Sequence, residues 1–231
     1  MIKRILFPLV WAMLSVPLWA VPSAPWEYNM HQEGNAERPA YRVKLAYPVF
    51  ELKNPKLYDR VNDLAYSLYR EKAKRFESNL PHPAPHNARG VSLTGDYKIA
   101  FENDRIASIL YTSTTDLGKG KFAVQESRLI SLVEGRRVEL GQLFKKGYAD
   151  GLSKLCRRRL TQKYPGWDAR EMEQFSDPLN LTAPTFTVSA RGLTLYFPTE
   201  PPRPLTLDWN ELAPLSEASA LKRFGLRPKT P

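Results

Sequence analysis

Between Val138 and Leu212 the sequence changes period several times, and that succession constrains the fold more than any composition value does. Val138-Glu139-Leu140-Gly141-Gln142-Leu143-Phe144 closes a strand and opens a basic amphipathic helix. Phe186 to Phe197 reads as a hairpin. Leu205 to Leu212 reads as a further strand that ends the domain. This order speaks to architecture before it speaks to any reaction.

The first twenty residues stand apart. Lys3 and Arg4 precede an apolar stretch from Ile5 to Trp19, and Ala20 is a small residue at a cleavage position. That is the layout of a secretory signal peptide, expected over residues 1–20. The stretch is short for a span of about 20 apolar residues, so no stable membrane span is expected after cleavage. Residues 21–40 are expected to form a flexible lead-in. The folded domain is expected over 41–215, followed by a tail over 216–231.

Within the domain, Tyr41 to Phe50 alternates, with Val43, Leu45, Tyr47 and Val49 on one side. Asn54-Pro55 then starts a helix, with Asn as cap and Pro in the first turn. Leu57, Val61, Leu64, Leu68 and Phe76 mark its apolar stripe. Three strands are expected at Gly90–Glu102, Arg105–Thr115 and Lys121–Val133, with turn signals at Asn103-Asp104 and Gly118-Lys119-Gly120. Glu134-Gly135-Arg136-Arg137 interrupts the third strand and Val138 resumes it. A helix over Tyr148–Tyr164, a loop holding Trp167 and two or three closing strands complete the order. The fold class expected is α+β: a single, mostly antiparallel sheet with two helices packed on one face.

Chemistry is sparse. Cys156 is the one cysteine, so no intrachain disulfide is possible. It shares a helical face with Leu152, Leu155 and Leu160, which reads as core. His82 and His86 lie among alternating prolines; an extended polyproline segment sets them ~12 Å apart, too far to share one zinc ion at ~2 Å per ligand. His31 lies in a polar stretch. No metal site and no cofactor are expected. The carboxylates Glu126, Glu134, Glu139, Asp150, Asp168, Glu171, Glu173 and Asp177 are scattered. No serine nucleophile motif or phosphate loop is present. A non-catalytic chain is expected.

At these residues a resemblance appears. The Val138–Phe144 run looks like the "strand, then Leu-x-x-Leu-Phe" junction of the extracellular domain of anti-sigma-V factors, a domain also attached to some peptidoglycan deacetylases. The stripe from Leu57 to Leu68, the Gly192-Leu193…Tyr196-Phe197 strand and the Leu207…Leu212 segment follow in the same order. The resemblance covers roughly 41–215 and rests on core and turn residues. It implies a domain facing the cell envelope, some of whose members bind lysozyme. One departure stands out: where the family continues with a loop containing Tyr and Gly, this chain has Pro198-Thr199-Glu200-Pro201-Pro202-Arg203-Pro204. Proline fixes φ and removes donors, so ligand identity does not carry across. Neither an anti-sigma segment ahead of the signal nor a deacetylase domain with Asp and His metal ligands is expected.

Charge narrows the partner. The formal net charge is +10, and loss of Lys3 and Arg4 with the signal lowers it to +8. Such a chain attracts anions through long-range fields that salt weakens. The candidate ligand-binding residues are Lys154, Arg157, Arg158 and Lys163 on the second helix, with Tyr164 and Trp167 as stacking platforms. The function expected is a periplasmic or secreted binding domain for an anionic envelope component such as peptidoglycan. The alternative is a module that senses or inhibits an envelope protein such as lysozyme, and a cell-wall hydrolase or deacetylase is the third and least favoured reading. Nucleic acid is not an expected partner of an exported chain without a recognised motif.

Overall fold

The structure is a computed structural model. It describes residues 22–34, 39–80, 82, 90–118, 120–177, 180–181, 184–199 and 203–226. The expected signal peptide lies outside the described residues, as does most of the proline segment with His86. Among the described residues no helix is long and apolar enough to cross a membrane.

The larger sheet holds β1 (Pro22–Gln32), β2 (Tyr41–Phe50), β3 (Val91–Glu102), β4 (Ile106–Asp116), β5 (Lys121–Ser131) and β6 (Arg136–Arg137), in that order across the sheet. Helix α1 (Pro55–Ser78) joins β2 to β3, which pair in parallel; the other neighbours are antiparallel. The Asn54 side chain accepts from the Lys56 and Leu57 N–H groups at 3.0 and 3.3 Å, the cap that Asn-Pro announces. The stretch expected as a flexible lead-in therefore supplies an edge strand over Pro22–Gln32, because β2 otherwise leaves one edge of backbone groups unpaired.

Helix α1 covers one face of this sheet. Val61, Leu68, Tyr69 and Phe76 pack with Val43, Leu45, Leu93, Ile109 and Ile130. Tyr111 donates its hydroxyl to the Ala65 carbonyl at 2.8 Å, tying β4 to α1. Tyr69 reaches the Asp96 carbonyl at 2.5 Å across Gly95. A Cβ at Gly95 would sit 2.8 Å from the Tyr69 ring, so that approach requires glycine.

β4 is buried on both faces over Ile106–Tyr111. Ala107, Ile109 and Tyr111 face α1, whereas Ile106 belongs to a second core. A strand apolar on both sides needs cover on both sides, and this overturns the expected single sheet with two helices on one face. The second layer holds α2 (Tyr148–Lys163), α3 (Ala169–Phe175) and a three-stranded antiparallel sheet of β7 (Thr185–Val188), β8 (Gly192–Phe197) and β9 (Arg203–Asp208). Its core joins Leu152, Leu155, Cys156 and Leu160 of α2 to Phe186, Leu193, Leu195 and Leu207. A shift in register between Ile99 and Phe101 turns Phe101 to this second side.

Three local expectations change as well. β6 folds back on β5, pairing Arg137 with Ile130, so Glu134-Gly135 is a hairpin turn and not a break within one strand. The segment after Asp208 leaves the strand as α4 (Trp209–Leu212), because the Asp208 side chain accepts the Asn210 N–H at 2.8 Å and Glu211 completes a capping box. The tail expected over 216–231 instead folds in part: α5 (Ala218–Arg223) and its exit bury Leu221, Phe224 and Leu226 in the second core. Buried Asn103 holds it there, donating to the Phe224 carbonyl at 3.0 Å.

Candidate functional site

Helix α2 sets the geometry of the predicted site. Its apolar stripe faces the three-stranded sheet, so its basic residues occupy the remaining surface. Lys154, Arg157 and Arg158, spaced three and four apart, share the exposed side with Thr161. Arg157 turns toward α3: its Nε donates to Ser176 Oγ at 3.4 Å and its Nη1 lies 3.8 Å from Glu173. Lys154 and Arg158 have no ion-pair partner among the described residues.

At about 100° per residue, Lys163 emerges on another side of the helix. Its Nζ donates to the Pro204 carbonyl at 2.7 Å and stands 5.2 Å from the Tyr164 ring centre. Tyr164 donates to the same carbonyl at 3.0 Å. The six predicted residues thus divide into two groups, Lys154 with Arg157 and Arg158, and Lys163 with Tyr164 and Trp167.

Trp167 is not an open stacking platform. It is 7% exposed, and its ring packs among Tyr164, Phe175 and Phe197 at centroid distances of 5.8–6.0 Å. Its Nε1 donates to Glu171 at 2.6 Å. The Arg203 guanidinium already occupies its outer face, 4.5 Å from the ring centre, and lies 5.6 Å from Tyr164. A planar, weakly hydrated cation suits that position.

Sequence reading missed Arg203, Arg191 and the Arg159–Glu211 pair. Arg203 opens β9 at the end of a proline-rich run with no periodicity to mark it. Together with α2, the β9 strand forms a shallow polar cleft of about 430 Å³. Arg159, Lys163 and Arg191 line it, with Gln162, Thr206, Asp208 and Glu211. Arg159 is paired with Glu211 by a two-pronged hydrogen bond, and Asp208 caps α4 but keeps its negative charge, so Lys163 and Arg191 outweigh it and leave the cleft with a positive excess.

Elsewhere, burial alone raises the Cys156 thiol and the Glu102 carboxyl, as it does the Tyr148 hydroxyl. The Cys156 thiol is pushed up to about 12, the opposite of a nucleophile's need. The Glu102 carboxyl at the end of β3 is raised to about 7. Neither lines the cleft. No cluster of three metal-ligating side chains occurs among the described residues.

No protein-family model matches this sequence. No curated protein sequence matches it either. Two of the solved structures that share its fold belong to one family. One is a member of the DUF3298 family from Bacteroides fragilis, at a TM-score of 0.63 and 14% identity over 90% of this chain and 99% of the other. The second is a DUF3298 family protein from Pseudomonas aeruginosa, at a TM-score of 0.60 and 12% identity over 85% of this chain and 94% of that one. At such identities the likeness is one of fold, and it sets this chain beside a domain of unknown function.

Proposed function

We propose that this chain is an exported, non-catalytic binding domain that holds an anionic component of the cell envelope, such as peptidoglycan, against the basic side of α2. One observation carries the reading: Lys154 and Arg158 stand one turn apart on an exposed helix face with no acidic partner among the described residues. Exposed cations without partners add their fields instead of cancelling them. Lys163 and Arg191 extend the same sign into the adjoining cleft. A signal-like N-terminus and the resemblance to envelope-facing anti-sigma-V domains support a periplasmic or secreted location. Neither Cys156, whose thiol burial disfavours ionisation, nor the scattered carboxylates form a constellation for bond making.

Co-sedimentation with purified peptidoglycan at low and high salt tests the reading. Retention at low salt that fades at high salt is expected. Absent or salt-insensitive retention, or release of product from cell-wall fragments, would overturn it. A thermal shift on titration with lysozyme, without peptidoglycan retention, would point instead to a protein-sensing module.

A further inference from the structure

We propose that the open edge of β5 binds an uncharged, extended peptide as an added strand. This site is separate from the basic face of α2 and rests on different observations.

β6 covers β5 only at Ile130 and Ser131, and the start of β7 meets β5 at Gln125 and Ser127, so the outer edge that faces no strand among the described residues runs from Lys121 to Val124. The direction of its backbone groups follows from two contacts. The Leu129 carbonyl accepts the Val138 N–H at 2.7 Å, and the Gln125 carbonyl accepts from Thr185 Oγ1 at 3.4 Å. β4 and β5 pair without a register shift, so alternate residues from Leu129 back to Ala123 all turn their N–H and C=O groups outward. Among the described residues, no hydrogen bond reaches the outward groups of Ala123 or the Gln125 N–H.

Folded chains guard such an edge with charge, proline, a bulge or a covering element. Here the middle of the edge reads Phe122-Ala123-Val124-Gln125, and Phe122 and Val124 are 60% and 46% exposed. Beside it opens a cavity of about 670 Å³, within the size range of ligand sites. Phe175, Leu181 and Phe197 form its apolar wall, and Gln174 and Asn180 contribute carboxamides. No described residue of its lining is charged, in a chain that is 25% charged.

These features select the occupant. The free Ala123 N–H and C=O and the free Gln125 N–H, two residues or about 7 Å along the strand, match the repeat of an extended peptide backbone. A glycan chain offers no such repeat. An uncharged lining would leave any ionic group of the occupant desolvated without a partner, so the segment that enters carries apolar or neutral side chains.

The test uses the full chain, immobilised, and a display library of linear heptapeptides; selected peptides are then synthesised. Expected binders are uncharged and bind equally at low and high salt. N-methylation at alternate residues of one parity weakens them about tenfold, the effect of one or two lost hydrogen bonds, and N-methylation of the other parity does not. Binding also slows hydrogen exchange at the Ala123 and Gln125 amides. Ala123→Pro removes an outward N–H and no ladder bond, and it abolishes binding while circular dichroism stays unchanged. Ala123→Lys, at an exposed position, does the same should the proline variant misfold. A library without binders, binders indifferent to the parity of N-methylation, binding retained in both variants, or preferential capture of neutral oligosaccharides would each overturn the proposal.

Discussion

Ser108 Oγ accepts the Val188 N–H at 3.0 Å, across the boundary between the two sheets. Ser127 does the same for the Phe186 N–H at 2.9 Å. β7 is an edge strand of the smaller sheet, and two serine hydroxyls of the larger sheet satisfy its outward amides. The sheets are joined by these polar contacts as well as by apolar packing.

Loss of either hydroxyl leaves a buried N–H without a partner. Ser108→Ala is expected to lower stability by about 1–3 kcal/mol, because Ser108 is fully buried. Ser127→Ala should cost less, since Ser127 is half-buried. Urea midpoints at constant slope measure both. A neutral Ser108→Ala result would mean that the β7 amide finds another partner.

Arg203 over Trp167 closes the aromatic cluster. Arg203→Ala should destabilise the chain by about 0.5–2 kcal/mol. Arg203→Lys should recover only part of this, because an ammonium lacks the planar face. Chemical denaturation compares the three proteins. Equal stability of Lys and Arg at this position would show that charge alone matters there.

Charge on α2 should affect binding without affecting folding. Lys154→Glu with Arg158→Glu is expected to abolish salt-sensitive retention on peptidoglycan and to shift stability by no more than about 0.5 kcal/mol, the usual range for exposed substitutions. Co-sedimentation and thermal melting on the same samples separate the two effects.

Glu102 makes a pH prediction whose sign is opposite to that of a salt-bridged acid. Burial raises its pKa to about 7 in the folded chain against an ordinary 4.5. The folded state therefore keeps a proton that the unfolded state has released between those values. Its stabilising contribution is present below pH 4.5, falls as pH rises toward 7, and stays lost above it. Its Oε1 atom has no hydrogen-bond partner among the described residues. Glu102→Gln should flatten this slope, and urea midpoints at pH 4.5, 6 and 8 for both proteins read it out.

Cys156 is fully buried, with its thiol raised to about 12. A thiol reagent should label the native chain only at the rate of opening, and label it readily in denaturant. Fast native labelling would place the thiol at the surface.

Much of the element order was legible. The Asn54-Pro55 start of α1, the β3–β4–β5 meander and the β7–β8 hairpin rest on local rules, namely capping, alternation and turn residues. Cys156 reads as core from its neighbours on one helical face. Residues 22–32 carry no such local signature, and their strand exists because β2 offers an edge. Tail residues Leu221, Phe224 and Leu226 fold in because the second core has room for them. In the candidate site, helical spacing put Lys154, Arg157 and Arg158 on one side. It could not show that Trp167 is covered, since Arg203 lies 36 positions away in the sequence.

The sequence alone determined the local elements, the apolar stripe of α2 and the excess of positive charge, because each follows from neighbours within a few turns or residues. Tertiary structure alone decided that there are two sheets, that β4 is covered on both faces, that Trp167 is closed off and that part of β5 stays open. Those outcomes depend on which distant surfaces exclude water from one another, and no local period encodes that pairing.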